Sequence, residues 1–239
     1  MVINLLSSPR NVSTALMYSF AQRADTKVMD EPFYANYLAN VAIDHPGKEE
    51  ILVSMPTDYE SIIKDIEALR TRNKYVFIKN MAHHFIDRDV HFMNSFQNVF
   101  FIRHPAQIIT SFSKVIDNPT IQDIGVRMQL ELFEKLTKSS LKRPVVVDSE
   151  DLINDPQKLL SALCNKIDIP FEVSMLRWNK GGIPEDGIWA KYWYANVHDS
   201  NGFKPAKNND VNGVPKHLTG LLEESIPYYI ELHQHKIKI

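Results

Sequence analysis

Residues 2–16 read VINLLSSPRNVSTAL, and they decide the fold because an apolar run, a polar turn and a helical pattern follow one another directly. Val2–Leu6 has the continuous apolar character of a strand that is covered on both faces. The pattern from Val12 to Ala21 is helical. A helix that starts directly after a strand gathers unpaired backbone N–H groups and a positive dipole end at the turn. Because Arg10 adds a full charge, this turn is a candidate cradle for a phosphate group.

Two hydroxyl side chains at the start of this helix leave a second interpretation open. Ser13 and Thr14 could bind a phosphate, or they could simply cap the helix, which is common for these residue types. The turn is not a Walker loop, because the pattern GxxxxGKS/T is absent and the first glycine of the chain is Gly47. The sequence therefore predicts an anion site that lacks the usual nucleoside triphosphate signature.

The alternation of short apolar runs and helical patterns continues to about residue 170. Further strands are predicted at Lys27–Met29, Tyr75–Lys79, Gln97–Ile102 and Val145–Asp148. Further helices are predicted at Tyr59–Arg70, Ile121–Thr137, Pro156–Ile167 and Leu218–Leu232. Strands that alternate with helices indicate an α/β fold with a mostly parallel central sheet flanked by helices. We expect one domain over residues 1–239, with a region from about residue 171 that is rich in loops.

Composition excludes several classes of protein. The 239 residues carry 27 Lys+Arg against 29 Asp+Glu, a net charge of −2, which argues against a dedicated nucleic-acid-binding protein. Apolar runs do not exceed four residues, so a membrane span and a signal peptide are not expected. Cys164 is the single cysteine, which excludes an internal disulfide and a cysteine-rich zinc site. We expect a cytoplasmic protein without a membrane or nucleic-acid partner.

A second candidate for anion binding follows the predicted strand Gln97–Ile102. Ligands of parallel α/β sheets bind outside the carboxyl ends of the strands, and Arg103 stands there with a planar charged group that suits phosphate. Ser111 lies about two helical turns further on and could add a hydroxyl. The Arg103-His104 pair is also reminiscent of histidine phosphatases, but their motif has a glycine after the histidine, where this chain has Pro105.

Three motifs in order resemble those of the sulfotransferases that use 3′-phosphoadenosine-5′-phosphosulfate (PAPS). Residues 9–16, PRNVSTAL, are similar to the 5′-phosphosulfate loop, usually PKSGTTWL or PRSGTT. Arg103 and Ser111 resemble the 3′-phosphate motif, and residues 147–152, VDSEDL, with Asp155-Pro156 resemble the YEDL…DP segment. The resemblance implies a three-layer P-loop-type fold. It also implies PAPS, and its product PAP, as the co-substrate, with no metal.

The resemblance also implies which residues hold PAPS, and it includes departures from the family pattern. Val12 stands where the family usually has glycine, and Ser149 stands at the tyrosine of YED. The segment that closes over the 3′-phosphate in the family is echoed only by Lys180-Gly181 and the residues after them. The predicted cofactor-binding residues are Arg10, Asn11, Val12, Ser13, Thr14, Arg103, Ser111, Lys180 and Gly181.

Candidates for the remaining chemistry follow the second and third strands. Glu31 resembles the glutamate that takes the acceptor proton in several sulfotransferases, and the alternative is a solvated acid in a turn. Lys79 and His83 resemble the lysine and histidine of the KTH motif, although two extra residues separate them. Histidine suits a general base because it titrates near neutral pH. The predicted catalytic residues are Arg10, Glu31, Lys79 and His83, and Glu31 is our first choice for the base.

Three classes of function stay open at this point. The leading hypothesis is transfer of a sulfuryl group from PAPS to a hydroxyl or amine of a small-molecule acceptor. The second is a kinase for nucleotides or small molecules, which would need a lysine before Ser13-Thr14 and an acid that holds Mg²⁺. The third is a non-catalytic nucleotide-binding domain, which the departures at Val12 and Ser149 keep open. A homodimer is an alternative to a monomer that the sequence does not decide.

Overall fold

The computed structural model describes residues 1–42, 45–204 and 213–239, and its centre is a five-stranded parallel sheet in the order β2-β3-β1-β4-β5. This confirms the predicted α/β fold with a parallel sheet flanked by helices. The strands are β1 (Val2–Ser7), β2 (Thr26–Asp30), β3 (Tyr75–Met81), β4 (Gln97–Ile102) and β5 (Val145–Asp148). Because all pairings are parallel, the carboxyl ends of all these strands meet at one edge of the sheet.

The register fixes which residues are neighbours at that edge. Ser7 at the end of β1 is paired with Met81 of β3 and with Phe101 of β4. Asp30 at the end of β2 is paired with Lys79 of β3. The turn after β1 therefore lies between the residues that follow β3 and those that follow β4. This order brings the two predicted anion-binding segments next to each other.

The helices cover both faces of the sheet. They are α1 (Ser13–Ala21), α2 (Tyr34–Asn40), α3 (Lys48–Ser54), α4 (Tyr59–Arg72), α5 (Pro105–Phe112), α6 (Ile121–Ile124), α7 (Val126–Ser139), α8 (Ser149–Asn154), α9 (Pro156–Lys166), α10 (Ala190–Trp193), α11 (Ala195–His198) and α12 (Thr219–Gln234). Short 3-10 helices lie at Ala82–Phe85, His91–Ser95, Val173–Leu176 and Lys216–Leu218. One apolar core packs α1, α2 and α9 on one face, and a second packs α4, α5, α7 and α12 on the other. Strand residues alternate between these two cores, which explains their continuous apolar pattern.

The predicted helix Ile121–Thr137 is wrong as a single element. Gly125 adopts a left-handed conformation with φ of 68° and separates α6 from α7. Thr120 and Asp123 form a capping box at the start of α6, which makes a separate one-turn helix favourable. The strands predicted at Gln97–Ile102 and Val145–Asp148 occur with the predicted ends, and the other predicted elements occur with ends shifted by at most two residues.

The C-terminal region is less regular than the sheet, as expected, but much of it is packed. Trp189 and Tyr194 are buried in the core beside α1 and α2. Residues 205–212 of the predicted loop region lie outside the described residues. In the described ranges, no helix has the length and apolar character that a membrane crossing requires.

Candidate functional site

Two amide side chains hold the turn after β1 and the strand ends beside it. Asn11 Nδ2, in the turn, donates hydrogen bonds to Ser8 Oγ (3.3 Å) and to the carbonyl of Phe101 at the end of β4. Gln129 Nε2 of α7 donates to that same carbonyl (2.9 Å) and to the carbonyl of Leu6 in β1 (3.0 Å). Asn11 therefore fastens the turn to β4, and Gln129 joins the ends of β1 and β4. The sequence analysis missed Gln129, because nothing local in α7 indicates that it reaches a strand residue 123 positions away in the sequence.

The backbone of this turn takes a conformation that favours glycine. Arg10 and Val12 have φ values of 57° and 48°, in the left-handed region. A β-branched residue is rare there, because its side chain crowds the backbone. Val12 stands at the N-cap of α1, directly before Ser13 and Thr14. This left-handed backbone explains why related motifs have glycine at this position. Val12 adopts the same backbone conformation and is strained by it.

The structure brings Arg10, Arg103 and Ser111 together beside the turn. Arg10 Nε donates to Ser111 Oγ over 3.1 Å, and Arg103 Nη1 donates to the backbone carbonyl of Arg10. Arg103 Nε donates to Gln107 Oε1 of α5 over 3.0 Å. Among the described residues, both guanidiniums hydrogen-bond only to uncharged groups. Two cations held close together without a salt bridge to a carboxylate among the described residues suit a polyanion.

Burial supports the same interpretation of the two arginines. It lowers the pKa of Arg10 and of Arg103, and the neighbouring Arg10 charge lowers the pKa of Arg103 further, while Asp148 opposes this. Both groups remain cations at neutral pH, because the pKa of arginine lies far above it. A bound anion would relieve this unfavourable burial of like charge. The residues present therefore fit a ligand with two phosphate groups.

Lys180 and Gly181 have other neighbours. Lys180 Nζ pairs with Asp199 Oδ1 over 3.0 Å, and Gly181 N donates to the carbonyl of His198 over 2.8 Å. Lys180 and Gln22 line the same surface cleft, and Gln22 is the C-cap of α1. The turn after β1 lies at the other end of α1. Because α1 has nine residues, this turn is about 13 Å from Gln22. Their predicted contact with PAPS stays a prediction.

A buried cluster of charges lies at the ends of β2 and β3. Lys79 Nζ donates to Asp30 Oδ1 (2.9 Å), to Glu31 Oε1 and to the hydroxyl of Tyr194 (2.6 Å). The Tyr194 hydroxyl in turn donates to Asp30 (2.7 Å) and accepts from Trp189 Nε1 (3.0 Å). The structure thus brings the predicted residues Glu31 and Lys79 together. It also adds Asp30 and Tyr194, which the sequence analysis did not select.

The pKa values of Lys79 and Glu31 are both raised in this cluster. Burial alone would lower the pKa of Lys79, but Asp30 and Glu31 more than offset it, so this pKa is raised and the ammonium stays charged. Burial raises the pKa of Glu31, while the Lys79 charge opposes that rise. Glu31 also has a left-handed backbone with φ of 43°. Strain of this kind in a non-glycine residue is typical of functional positions.

His83 and His84 follow β3 on a 3-10 helix and are both buried. His83 lies near the turn after β1, on the other side of Gly125. A Cβ atom added to Gly125 would be 3.5 Å from His83 Nδ1 and 3.8 Å from the side chain of Pro9 in that turn. His84 Nε2 lies 3.8 Å from Glu31 Oε2, and its ring stacks on Tyr37. Burial lowers the pKa of His83 to about 4 and that of His84 well below its usual range. Both rings are therefore neutral at pH 7, and the lowered pKa makes each of them a weaker base than an ordinary histidine.

Two further observations complete the site. Asp148 at the end of β5 accepts from the backbone of Glu150 (2.8 Å) and from the Tyr229 hydroxyl of α12 (2.8 Å). Ser149 Oγ is buried without a hydrogen-bond partner among the described residues. In the same residues no group of three or more His, Cys, Asp or Glu side chains is arranged to hold a metal ion.

Comparison with known sequences gives a family for the whole chain. A sequence profile described as a sulfotransferase domain matches residues 1–235. Two curated proteins of Arabidopsis thaliana, branched-chain-amino-acid aminotransferase-like proteins 1 and 2, are 37% and 36% identical to this chain over 235 residues. These matches span 98% of this chain and 42% of each relative, so the chain spans less than half the length of the curated relatives it matches.

Comparison with solved structures supports the fold. The sulfotransferase domain of the Synechococcus PCC 7002 olefin synthase aligns with a TM-score of 0.61 at 17% identity, covering 95% of this chain and 94% of that one. A sulfotransferase from Alicyclobacillus acidocaldarius aligns with a TM-score of 0.58 at 9% identity, covering 98% and 96%. At these identities the likeness concerns the fold. Together with the profile, it confirms the resemblance that the three motifs indicated.

Proposed function

Because the chain belongs to the sulfotransferase domain family, we propose that it transfers a sulfuryl group from PAPS to a hydroxyl or amine of a small-molecule acceptor. The single observation that carries the proposal is the convergence of Arg10, Arg103 and Ser111 at the turn after β1. In this proposal Arg103 and Ser111 bind the 3′-phosphate. Arg10 and the free N–H groups of the turn bind the 5′-phosphate.

In this proposal the residues at the turn after β1 and at the ends of β2 and β3 share the parts of the reaction. The acceptor oxygen forms a bond to sulfur, and the bond between sulfur and the 5′-phosphate oxygen breaks with its electron pair on PAP. Arg10 stabilises the negative charge that develops on this leaving oxygen. The acceptor proton goes to a base, for which Glu31 is our proposal. His83, which lies near Pro9 of the turn, would orient the acceptor or the sulfuryl oxygens.

The kinase alternative has less support. A P-loop kinase places a lysine directly before the helical Ser/Thr, where this chain has Val12. Lys79 cannot replace that lysine, because all of its contacts are within the cluster at the ends of β2 and β3. The non-catalytic alternative rests on Val12 and Ser149. Val12 has a strained backbone, and the Ser149 hydroxyl has no hydrogen-bond partner among the described residues. A turnover experiment with PAPS distinguishes a non-catalytic domain from an enzyme.

The names of the plant relatives do not point to aminotransferase chemistry in this chain. Each relative aligns with 98% of this chain, and the sulfotransferase profile matches residues 1–235 of the same chain. Both comparisons therefore concern the same part of this chain. An aminotransferase needs a lysine that becomes neutral and attacks a carbonyl group. Lys79, the buried lysine of the described residues, has a raised pKa and stays charged. We therefore propose that the aminotransferase-like character of the relatives belongs to their remaining length.

Calorimetric titration tests the proposal and separates it from its alternatives. PAP and ATP are each titrated into the protein with and without Mg²⁺. We expect PAP to bind equally well in both conditions, and ATP to bind more weakly. Tight binding of ATP that depends on Mg²⁺ would instead support the kinase. If PAP binds, incubation with PAPS and a panel of hydroxyl and amine compounds then distinguishes an enzyme, which releases PAP, from a non-catalytic domain.

A further inference from the structure

The Lys79 ammonium has no hydrogen-bond donor left for a substrate. A lysine carries three N–H donors. In this structure Asp30, Glu31 and Tyr194 accept one each, and the Lys79 side chain is 1% exposed. A contact with a sulfuryl oxygen would require Lys79 to give up a bond to a carboxylate or to Tyr194 inside the protein. The resemblance to the KTH motif predicts a catalytic lysine here, but the contacts of this chain favour a different role.

We propose that Lys79 acts through Glu31, and that Tyr194 and Asp30 hold it in place, so that both Lys79 and Tyr194 are positioning residues for the base. This inference rests on the proposed function, in which Glu31 takes the acceptor proton. Tyr194 comes from the C-terminal region, between α10 and α11, and its ring lies 5.0 Å from Lys79 Nζ.

The two carboxylates of the cluster are bound differently. Asp30 accepts from Lys79, from the Tyr194 hydroxyl and, through Oδ2, from the backbone N–H of Gly187 (3.1 Å). Glu31 accepts from Lys79 through Oε1, and its Oε2 lies 3.8 Å from His84, beyond a hydrogen bond. Oε2 of Glu31 is therefore the carboxylate oxygen that can receive a proton.

The charge of Lys79 decides whether Glu31 is ionised. In the part of the chain that the structure describes, the ionisable groups around Glu31 are Lys79 on β3, Asp30 on β2, His84 on the 3-10 helix, Tyr34 on α2 and Tyr194 in the C-terminal region. Of these, Lys79 alone is a cation at neutral pH, because the pKa of His84 lies well below its usual range. Without Lys79, burial and the charge of Asp30 would both favour a protonated Glu31. Asp30 would keep two other hydrogen-bond donors, Tyr194 and the backbone N–H of Gly187.

Tyr194 keeps the ammonium between the two carboxylates. Its hydroxyl accepts from Lys79 and donates to Asp30, and Trp189 Nε1 holds it from the other side. Loss of this hydroxyl would leave Lys79 free to turn toward Asp30 and away from Glu31, and it would also remove the hydrogen bond by which Tyr194 itself lowers the pKa of Glu31. We therefore expect removal of the hydroxyl to have a smaller effect in the same direction as removal of the lysine.

The pKa of Glu31 can be measured without an acceptor, by carbon-13 NMR of protein labelled at the glutamate δ-carbon. Glu31→Gln assigns the signal. We expect Lys79→Met to raise the pKa of Glu31 by about 1–3, and Tyr194→Phe by about 0.5–1. Tyr192→Phe, at a neighbouring exposed tyrosine, is the matched control and should leave it unchanged. An unchanged pKa of Glu31 in both Lys79→Met and Tyr194→Phe would overturn the proposal. If Lys79→Met does not fold, Tyr194→Phe alone decides.

Nucleotide binding and turnover provide a second test. We expect Lys79→Met to bind PAP within about threefold of the parent; a loss above about tenfold would show a direct contact with the nucleotide and overturn the proposal. Where a turnover assay is available, its kcat should fall at pH 7 and recover at alkaline pH, as Glu31 ionises again. An equal loss at every pH would overturn it. Failure of the parent to bind PAP would reject the proposed function instead, and the NMR titration would remain informative.

Discussion

Arg10 and Ser111 are joined by a hydrogen bond of 3.1 Å although they are 101 positions apart in the sequence. Arg10 belongs to the turn after β1, and Ser111 belongs to α5 after β4. The two residues meet because β1 and β4 are neighbouring parallel strands whose carboxyl ends lie at the same edge of the sheet. Two motifs that were assigned to opposite ends of one nucleotide therefore form a continuous polar surface.

Arg103→Ala should weaken PAP binding by about 10- to 100-fold, because a charge-assisted hydrogen bond to phosphate contributes about 1.5–3 kcal/mol. Calorimetric titration with PAP in the absence of Mg²⁺ measures the change. Arg127→Ala is a suitable control, since Arg127 is exposed on α7 and pairs with Glu131. Equal affinity of Arg103→Ala and the parent would remove the 3′-phosphate assignment.

Arg10→Ala should lower both PAP affinity and turnover. The loss in kcat is expected to be about 10²-fold or more, as for other groups that stabilise charge on a leaving oxygen. Ser111→Ala, which removes the partner of Arg10, should cost about 1 kcal/mol of PAP binding. A crystal structure with PAP in which Arg10 points into solvent would contradict this role.

Val12→Gly should bind PAP at least as tightly as the parent and change stability by less than about 1 kcal/mol. Relief of left-handed strain, about 1–2 kcal/mol, offsets the entropy cost of glycine and the lost packing. Val126→Gly is the matched control, because Val126 is buried in α7 with an ordinary helical backbone. That control should lose about 2 kcal/mol or more in urea unfolding. A comparable loss for Val12→Gly would refute the strain argument.

Glu31→Gln should reduce turnover by about 10²- to 10⁴-fold while PAP affinity is retained, since it removes the base but keeps the shape of the side chain. His83→Gln should reduce turnover by less than about tenfold. Initial rates of PAP release with PAPS and an accepted hydroxyl compound compare the two variants. If His83→Gln has the larger effect, then histidine is the base and Glu31 supports it.

Stability should depend on pH through His83. Its pKa is about 4 in the folded protein against an ordinary 6.5, so the unfolded chain binds more protons between these values. The contribution of neutral His83 is complete above pH 6.5 and is lost as pH falls toward 4. We expect the difference in unfolding free energy between the parent and His83→Gln to fall by about 2 kcal/mol from pH 7.5 to pH 5.

Urea unfolding at the two pH values provides the measurement. His91→Gln, at a histidine whose side chain is 75% exposed, is the control and should show the pH dependence of the parent. Glu31 and Asp148 act in the opposite direction, because burial raises the pKa of each carboxyl and stabilises the fold as pH falls. The comparison between variant and parent removes these contributions. A His83→Gln variant with the parent's pH dependence would show that His83 is not buried neutral.

The sequence by itself determined the parallel α/β sheet and the edge at which its candidate residues lie. Each strand is a short apolar run, and the residues that follow each strand can be read directly from the chain. This brought Arg10 and Arg103 to one edge, because the carboxyl ends of parallel strands share it whatever the details of packing. The roles predicted for Ser111 and Glu31 also needed the resemblance to the sulfotransferase motifs.

Only the tertiary structure decided how these residues are held and paired. Gln129 of α7 joins the ends of β1 and β4, and Tyr194 binds Asp30 across 164 positions of the chain. The sequence also placed Lys79 among groups that contact substrate, whereas its donors are all used inside the protein. The physical reason is that hydrogen-bond saturation and pKa depend on every group within a few ångströms. Those groups come from distant segments that no local pattern connects.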